Sequence, residues 1–246
     1  MLELKNIYKT FNPGTINEKR ALNGLNLKLN EGDFVTVIGG NGAGKSTMLN
    51  AVAGTWPVDE GQILIDNIDV TKLSEHKRAT YLGRVFQDPM TGTAATMGIE
   101  ENLALAKRRG KSRLLRSGIT KAEREEYKEL LKILGLGLED RLTSKVGLLS
   151  GGQRQALTLL MATLQKPKLL LLDEHTAALD PKTAAKVLEI TDMIVNRDHL
   201  TTLMITHNMK DAIAHGNRLI MMMEGKIILD IQVEEKKKLT VKNLLD

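Results

Sequence analysis

A glycine-rich stretch between an apolar strand and a helix limits this chain to a narrow range of folds. Residues 39–46 read GGNGAGKS and fit the pattern G-x-x-x-x-G-K-[ST]. They follow the run Phe34 to Ile38, which is apolar apart from Thr36 and predicts a strand buried on both faces. A helical stretch over 47–53 comes next, so the pattern lies where a phosphate-binding loop requires it. The alternative is a glycine-rich turn with a solvent-exposed lysine, and the flanking strand and helix argue against it.

The chemistry of this loop suits a nucleotide. Its glycines let backbone N–H groups turn inward around a β-phosphate, and the positive end of the following helix adds about half an elementary charge. Lys45 then supplies a full charge to the β- and γ-phosphates, while Ser46 offers a hydroxyl to Mg²⁺. The residues predicted to bind the nucleotide here are Gly39, Asn41, Gly42, Ala43, Gly44, Lys45, Ser46 and Thr47.

Two acidic residues end a second apolar strand, Leu169 to Leu172. In open α/β sheets the ligand crevice lies at the carboxyl ends of the strands. Asp173 is placed to hold a hydrated Mg²⁺, and Glu174 can polarise the attacking water as general base. Two acids after a strand are often only a polar strand end, but beside a phosphate loop the functional interpretation is favoured.

The spacing of apolar residues divides the chain into three parts. The opening third predicts short strands, because Leu25, Leu27 and Leu29 alternate with polar residues, and Ile63 to Ile65 resembles one arm of a hairpin. Residues from about 99 to 165 show helical stripes, one of them formed by Tyr127, Leu130, Leu131 and Leu134. The last third alternates strands and helices. The sequence therefore predicts an α/β fold with a largely parallel sheet and a helical insert.

A second anion site is predicted at the start of the helix that runs to Leu164. Residues 149–153 read LSGGQ; the two glycines expose backbone N–H groups at a helix N-terminus, and Ser150 adds a hydroxyl. One nucleotide cannot easily use two such sites of one chain. With the loop and the acidic strand, this string resembles the ATP-binding cassette (ABC) ATPases and matches their signature without a substitution. The resemblance covers nearly the whole chain.

The resemblance implies roles for further residues. Gln87 matches the Q-loop glutamine, which touches the metal and links the core to the helical subdomain. Asp180 matches the D-loop aspartate at the dimer interface, and His207 matches the switch histidine that contacts the γ-phosphate. Phe11 is the candidate that stacks on adenine and Tyr8 is its competitor, although either could be plain core.

The resemblance also implies an architecture and an assembly. It makes residues 1–246 a single ABC ATPase domain, with a P-loop NTPase core of mixed, mainly parallel sheet and an N-terminal antiparallel β-subdomain. The core would comprise 1–87 and 166–246, and the helical signature subdomain 88–165. Two subunits, expected to be alike, would pack head to tail. Each ATP, with Mg²⁺, would lie between the phosphate loop of one chain and the signature of the other, formed by Ser150, Gly151, Gly152 and Gln153.

Two positions depart from the family's usual pattern. Gly40 stands where many relatives carry proline, and the backbone cradle needs no side chain there. His175 follows Glu174 where proline is common, and we expect a structural role for it rather than metal ligation. Because the acidic, lysine and histidine positions are all present, we expect ATP hydrolysis as well as ATP binding.

Composition narrows the possible roles. The 35 Lys and Arg against 30 Asp and Glu leave a net charge of +5, a weak argument for an anionic partner. Three Phe, three Tyr and one Trp offer little surface for base stacking, and the absence of Cys excludes disulfides and thiolate metal sites. No apolar run approaches the roughly 20 residues of a membrane span, and the N-terminus lacks a signal-peptide pattern. We expect a cytoplasmic protein, peripheral on the inner face of the cell membrane.

The leading interpretation is the motor subunit of a bacterial split-subunit importer. It would power uptake of a small solute, an amino acid in some similar proteins, through a separate permease with a separate solute-binding protein. Residues 88–98 would then line the groove that receives a cytoplasmic helix of the permease. Export stays open, because a lone cassette does not set the direction of transport.

Two other classes of protein fit the sequence less well. A soluble ABC ATPase acting on nucleic acid or ribosomes would carry coiled coils, cysteine zinc modules or a second cassette, and this chain has none, so no nucleic-acid partner is expected. A nucleotide-gated scaffold without turnover disagrees with the intact Glu174 and His207.

A basic run is either a solvated face or a contact with anionic lipid or a partner; it comprises Lys107, Arg108, Arg109, Lys111, Arg113 and Arg116.

Overall fold

The computed structural model describes residues 1–110 and 118–244, which form two β-sheets with helices packed around them. The strands are β1 (Leu2–Phe11), β2 (Lys19–Leu29), β3 (Phe34–Ile38), β4 (Glu60–Ile65), β5 (Ile68–Asp69), β6 (Leu82–Val85), β7 (Leu169–Asp173), β8 (Thr201–Ile205), β9 (Arg218–Met223) and β10 (Lys226–Gln232). The α-helices are α1 (Lys45–Ala53), α2 (Glu75–Arg78), α3 (Ile99–Lys107), α4 (Lys121–Lys132), α5 (Gly151–Thr163), α6 (Pro181–Asp198), α7 (Met209–Ala214) and α8 (Val233–Lys236). Short 3-10 helices cover Val146–Leu148 and Lys242–Leu244. Among the described helices, none has the length and apolar character that crossing a bilayer requires.

The N-terminal third forms an antiparallel sheet in the order β2-β1-β4-β5. Strands β4 and β5 make a hairpin whose tip, Asp66 and Asn67, has φ values of 55° and 62°. Positive φ at both central residues is the geometry that twists a two-residue hairpin correctly, and Asp and Asn tolerate it well. The predicted antiparallel subdomain and its hairpin are confirmed.

The second sheet holds the strands that carry the predicted site. Its order is β10-β9-β3-β8-β7-β6, and all neighbours are parallel except the edge pair β9 and β10. This confirms the predicted mixed, mainly parallel sheet. Because the carboxyl ends of β3, β7 and β8 lie at one edge, the segments that follow these strands converge there.

The central sheet separates two hydrophobic cores. Leu169 and Leu171 of β7 belong to the core beneath the antiparallel sheet and α1, whereas Leu170 and Leu172 belong to the core shared with α5 and α6. Successive side chains of a strand point to opposite faces, so an unbroken leucine run can fill both cores. The apolar strand predicted at Leu169 to Leu172 is therefore present, and it is buried.

The middle of the chain is less helical than its stripes predict. Helices α3, α4 and α5 are present, but residues 133–150 are mostly turns with one 3-10 segment. Leu134, predicted on the stripe of Tyr127, lies beyond the end of α4, although it is buried. Gly135 and Gly137 follow with φ values of 63° and 67°, a backbone conformation that ends a helix.

Only part of the basic run falls within the described residues. Lys107 forms an ion pair with Glu126, and Arg108 forms one with Glu123 at 2.7 Å. The residues from Lys111 to Arg116 lie outside the described part of the chain. Two of the three described residues of the run therefore pair with acids of α4.

Candidate functional site

The glycine-rich loop turns sharply between β3 and α1, and two glycines make the turn possible. Gly39 has φ 147°, and a Cβ atom placed there would lie 2.3 Å from the carbonyl oxygen of Met222. Gly44 has φ 101°, and its Cβ would lie 2.5 Å from the carbonyl oxygen of Ala21. Both positions combine a positive φ with close backbone contact, so only glycine fits without a shift. The loop thereby leads directly into the N-terminus of α1.

Lys45 begins α1 and is buried, with 5% of its surface exposed. Its Nζ atom donates hydrogen bonds to the carbonyl oxygens of Gly39 at 2.8 Å and Gly40 at 3.1 Å. Burial lowers the pKa of the Lys45 ammonium, and the nearby carboxylates of Glu174 and Asp173 act in the opposite direction. The ammonium is thus held inside the loop, close to both acids.

A cavity of about 250 Å³ opens above this loop. It brings together the phosphate loop, the end of the β7 strand and the residues that follow β8. Its lining consists of Phe11, Lys19, Ala21, Asn41, Gly42, Ala43, Gly44, Lys45, Ser46, Thr47, Glu174 and His207. Most of the residues predicted to bind nucleotide therefore share one cavity.

Glu174 and His207 meet at the edge of this cavity. His207 Nε2 lies 2.6 Å from Glu174 Oε1. The backbone of Glu174 has φ 46°, and its N–H donates to the carbonyl oxygen of Ile205 at 3.0 Å, which ties the end of β7 to the end of β8. Of the three residues predicted to be catalytic, Glu174, His207 and Gln87, the first two are therefore paired with each other.

Asp173 lies further inside, next to an arginine. Burial raises the pKa of the Asp173 carboxyl, and the guanidinium of Arg84 opposes the rise. Arg84 Nη2 lies 3.6 Å from Asp173 Oδ2 and donates to Asn50 Oδ1 at 2.7 Å. Asn50 Nδ2 in turn donates to the carbonyl oxygen of Ser46 at 2.8 Å. This chain of contacts joins two of the three predicted metal ligands, Asp173 and Ser46.

The predicted ligand set suits Mg²⁺ in its chemistry. A carboxylate from Asp173, a hydroxyl from Ser46 and an amide oxygen from Gln87 are hard oxygen donors, and Mg²⁺ is commonly held by one or two such groups together with substrate phosphates. Gln87 follows β6, is exposed and does not line the cavity. Within the described residues, no group of three or more His, Cys, Asp or Glu is arranged to hold a metal.

Phe11 lies at the cavity and Tyr8 does not. The Phe11 ring packs edge to face against Trp56, with ring centroids 5.1 Å apart, and remains partly exposed. Tyr8 lies beside Gly24 and lines a different pocket. Of the two candidates for stacking on adenine, the fold therefore presents Phe11 to the nucleotide cavity.

The signature residues lie away from this cavity, at the start of α5. Ser150 Oγ accepts from the N–H of Gln153 at 3.3 Å, and Gln153 Oε1 accepts from the N–H of Ser150 at 3.2 Å. This reciprocal capping stabilises the first turn of α5. Ser150 is exposed at the N-terminus of the helix. A Cβ at Gly152 would lie 2.1 Å from Thr183 Cγ2, so glycine permits close packing of α5 against α6. Gly151 is exposed beside them.

Asp180 caps the helix that packs against the signature. Its Oδ1 accepts from the N–H of Thr183 at 3.1 Å, and hydrogen bonds from the Thr183 side chain and backbone hold the pKa of the Asp180 carboxyl below its usual value. Pro181 follows at the first position of α6, where its missing N–H is not needed. Asp180 therefore has a structural role in this chain and does not line the nucleotide cavity.

His175 is buried, with 2% of its surface exposed. Its Nε2 lies 3.1 Å from Thr191 Oγ1, and burial followed by the charge of His215 lowers the pKa of His175 to about 4. The imidazole thus sits neutral inside the protein, immediately after Glu174. This placement agrees with the structural role expected for it.

Some residues around the site belong to no motif of the sequence. Lys19 and Ala21 reach the cavity from the start of β2, and their approach depends on the pairing of β1 with β2. Arg84 stands in β6, three residues before Gln87. Arg154, one residue after the signature, donates to the carbonyl oxygens of Gly147 at 3.0 Å and Val146 at 3.2 Å.

A P-loop ATPase is the class that this combination of fold, loop, acidic strand and paired glutamate and histidine defines. The sequence profile of the ABC transporter family matches residues 22–177. The chain belongs to this family and is one of its ATP-binding, ATP-hydrolysing cassettes.

Relatives and solved structures agree with that assignment. The chain is 45% identical over 247 residues to a tyrosine transport ATP-binding protein of Clostridioides difficile, covering 100% of this chain and 98% of that protein. It is 34% identical to the spermidine/putrescine import ATP-binding protein PotA of Haemophilus influenzae, covering 94% of this chain and 57% of that protein. Among solved structures, it resembles the dimeric ATP-binding cassette MJ0796 bound to ADP and Pi, with a TM-score of 0.80, 32% identity and coverage of 95% and 99% of the two chains.

Proposed function

We propose that the chain is the ATP-hydrolysing motor of an importer that moves a small solute, of the amino-acid class, through a separate permease. The observation that carries the proposal is the Glu174 and His207 pair at 2.6 Å, placed in the same cavity as Lys45 and the phosphate loop. A cavity with this lining has groups for binding a triphosphate and groups for activating water. Binding and hydrolysis are the two steps that a transport motor requires.

The residues of the cavity divide these steps between them. Lys45 and the N–H groups of the loop bind the β- and γ-phosphates, and Phe11 stacks on the base. Glu174 takes a proton from the attacking water, and His207 holds the Glu174 carboxylate in place and reaches toward the γ-phosphate. Because His207 Nε2 already contacts Glu174, the nucleophile and the phosphate would be aligned by one hydrogen-bonded pair.

The metal site would be built from Ser46, Asp173 and Gln87. When bound, Mg²⁺ supplies charge neutralisation of the triphosphate. Ser46 and Asp173 are already joined through Asn50 and Arg84, so the two ligands have a common support. Gln87 is exposed on the loop after β6 and would complete the set from that side.

A second copy of the chain would complete the site. Ser150, Gly151, Gly152 and Gln153 form a capped helix N-terminus that does not line the cavity of their own chain. The similar cassette MJ0796 is dimeric. A head-to-tail dimer would place each signature over the other chain's phosphate loop, with Asp180 nearby, so that ATP joins the two chains and hydrolysis releases them.

The permease would dock on the helical side. Residues 88–165 would form the helical subdomain, and 1–87 with 166–246 the nucleotide-binding core of the single domain. Segment 88–98 leads from Gln87 to α3, and the apolar side chains of Met90 and Leu148 are 46% and 72% exposed. Docking there would hold the chain at the inner face of the membrane, where a separate solute-binding protein would deliver the solute to the permease.

The names of relatives support import as the direction of transport and an amino acid as the class of solute. Tyrosine transport, methionine import and polyamine import appear among them. The 45% identity over the whole chain makes an amino acid the favoured solute. To test this, the chain is co-expressed with a candidate permease, and uptake of labelled tyrosine is measured in the presence of unlabelled amino acids. Uptake that no amino acid inhibits would contradict the substrate class.

The motor itself is tested with two variants of the purified chain. Lys45→Ala should lose most affinity for ATP, because the phosphates lose the only lysine of the loop. Glu174→Gln should bind ATP but hydrolyse it about 10²-fold more slowly, the scale of general-base loss. Unchanged ATP affinity in the first variant, or unchanged turnover in the second, would refute the assigned roles.

A further inference from the structure

Lys19 lies in the nucleotide cavity although it belongs to none of the family's motifs. It begins β2 and stands directly opposite Phe11 in the antiparallel ladder of β1 and β2. Residues paired in this way point to the same face of the sheet. The Nζ atom of Lys19 lies 2.9 Å from the position that a Cβ of Gly42 would occupy. The ammonium group therefore reaches the middle of the phosphate loop.

The Lys19 ammonium has no partner among the residues that the structure describes. No carboxylate and no hydrogen-bond acceptor is in range of it there. Lys9, on the neighbouring strand, contrasts with it, because Lys9 Nζ is bound to Asp59 at 2.9 Å. An exposed lysine that lies beside an anion-binding loop without a counter-ion is free to pair with an anionic group of a ligand.

The charges of the cavity leave a place for this second cation. Lys45 is already bonded to the carbonyl oxygens of Gly39 and Gly40, and Glu174 contributes a negative charge to the lining. A triphosphate brings several negative charges into this space. Lys45 and the Mg²⁺ of the proposed site do not balance all of them, and Lys19 is the other lysine of the lining.

We propose that Lys19 is a second cationic ligand of the nucleotide and contacts its β-phosphate from the Phe11 side of the cavity. This inference rests on the proposed ATP-binding function and adds a residue to it. Gly42 lies in the part of the loop whose N–H groups surround the β-phosphate, and the ammonium stands next to Gly42. Because Phe11 and Lys19 face the same way, a base stacked on Phe11 directs its phosphates past Lys19.

The test measures binding of ATP and ADP to the full chain by calorimetry, at low and high salt. Lys19→Met and Lys19→Gln should raise the Kd for both nucleotides about five- to tenfold at low salt, and less at high salt, because salt screens an exposed charge pair. Lys19→Arg should stay within about twofold of the wild type, since it keeps the charge. Lys28→Met is the matched control, an exposed lysine of the same strand away from the cavity.

Each outcome decides the proposal. A change below about twofold in both neutral variants, an equal change in Lys28→Met, or an effect on ATP without one on ADP would overturn the β-phosphate contact. Lys45→Ala in the same assay distinguishes a failure of the Lys19 contact from a failure of the proposed ATP-binding function. If the wild type binds no nucleotide, the proposed function fails with it; if Lys45→Ala abolishes binding and the Lys19 variants do not weaken it, only Lys19 is excluded.

Discussion

The buried His175 should make the stability of this protein depend on pH below neutrality. Thr191 Oγ1 donates to the carbonyl oxygen of Val187 at 2.8 Å, so the 3.1 Å contact with His175 Nε2 is one in which the neutral imidazole donates. Protonation would bury a charge with no acid in contact among the residues that the structure describes. The pKa of His175 is lowered to about 4 by burial and by His215, whereas an unfolded histidine titrates near its ordinary value.

The sign and size of the effect follow from proton linkage. Between about pH 6.5 and pH 4 the unfolded chain binds a proton at this histidine that the folded chain does not, so stability is lost as pH falls. Proton uptake by His175 in the unfolded chain lowers the free energy of unfolding by about 2 kcal/mol as pH falls from about 7.5 to about 5. Other groups titrate in the same range, so the quantity that isolates His175 is the difference between wild type and His175→Leu.

Urea unfolding at both pH values measures this difference. The leucine variant should lose about 2 kcal/mol less than the wild type on acidification, because it has no proton to bind and Thr191 keeps its bond to Val187. His76→Leu, at an exposed histidine, should show the wild-type dependence. Equal acid sensitivity in wild type and His175→Leu would refute the argument.

Two further predictions concern the supports of the phosphate loop. Arg78, 2% exposed, donates to the carbonyl oxygens of Leu73, Thr71, Ala51 and Val52, the last two at the end of α1. Arg78→Met should lower the free energy of unfolding by about 3–5 kcal/mol in urea titrations, whereas Lys186→Met, at the exposed ion pair with Glu189, should change it little; equal effects would contradict the role of burial. Gly39→Ala should weaken ATP binding at least about tenfold in fluorescent-nucleotide titrations, because its Cβ meets the carbonyl oxygen of Met222. Gly40→Ala should bind normally, because no described residue other than its chain neighbours lies within 4 Å of a Cβ there; the reverse order would contradict the loop geometry.

The local motifs of the fold were predictable because each is a short pattern with one physical solution. The leucine run of β7 fills two cores at once, and the glycines at 39 and 44 are required by close backbone contacts at positive φ. The structure of residues 133–150 was harder to predict from the sequence. Leu134, Leu138 and Leu142 are buried, as in a helix, but Gly135 and Gly137 interrupt the backbone. Burial alone does not distinguish a packed turn from a helix.

The contacts between distant segments could not be predicted from local patterns. Lys19 reaches the loop only because β1 and β2 pair in a particular register with several irregularities. Arg84 supports Asp173 only because β6 lies beside β7 in the sheet. Such neighbours depend on the tertiary arrangement, and neither residue belongs to a spacing pattern that indicates its place.

The central claim is that each catalytic site combines the phosphate loop of one chain with the signature of another. Mixing two inactive variants, Lys45→Ala and Ser150→Arg, tests it by ATP hydrolysis. In a head-to-tail dimer with random exchange, half of the dimers are mixed and each of these has one site with both parts intact, so activity should return to about a quarter of the wild type. If each chain instead contains its whole site, both partners remain defective, and a mixture no more active than the separate variants would contradict the account.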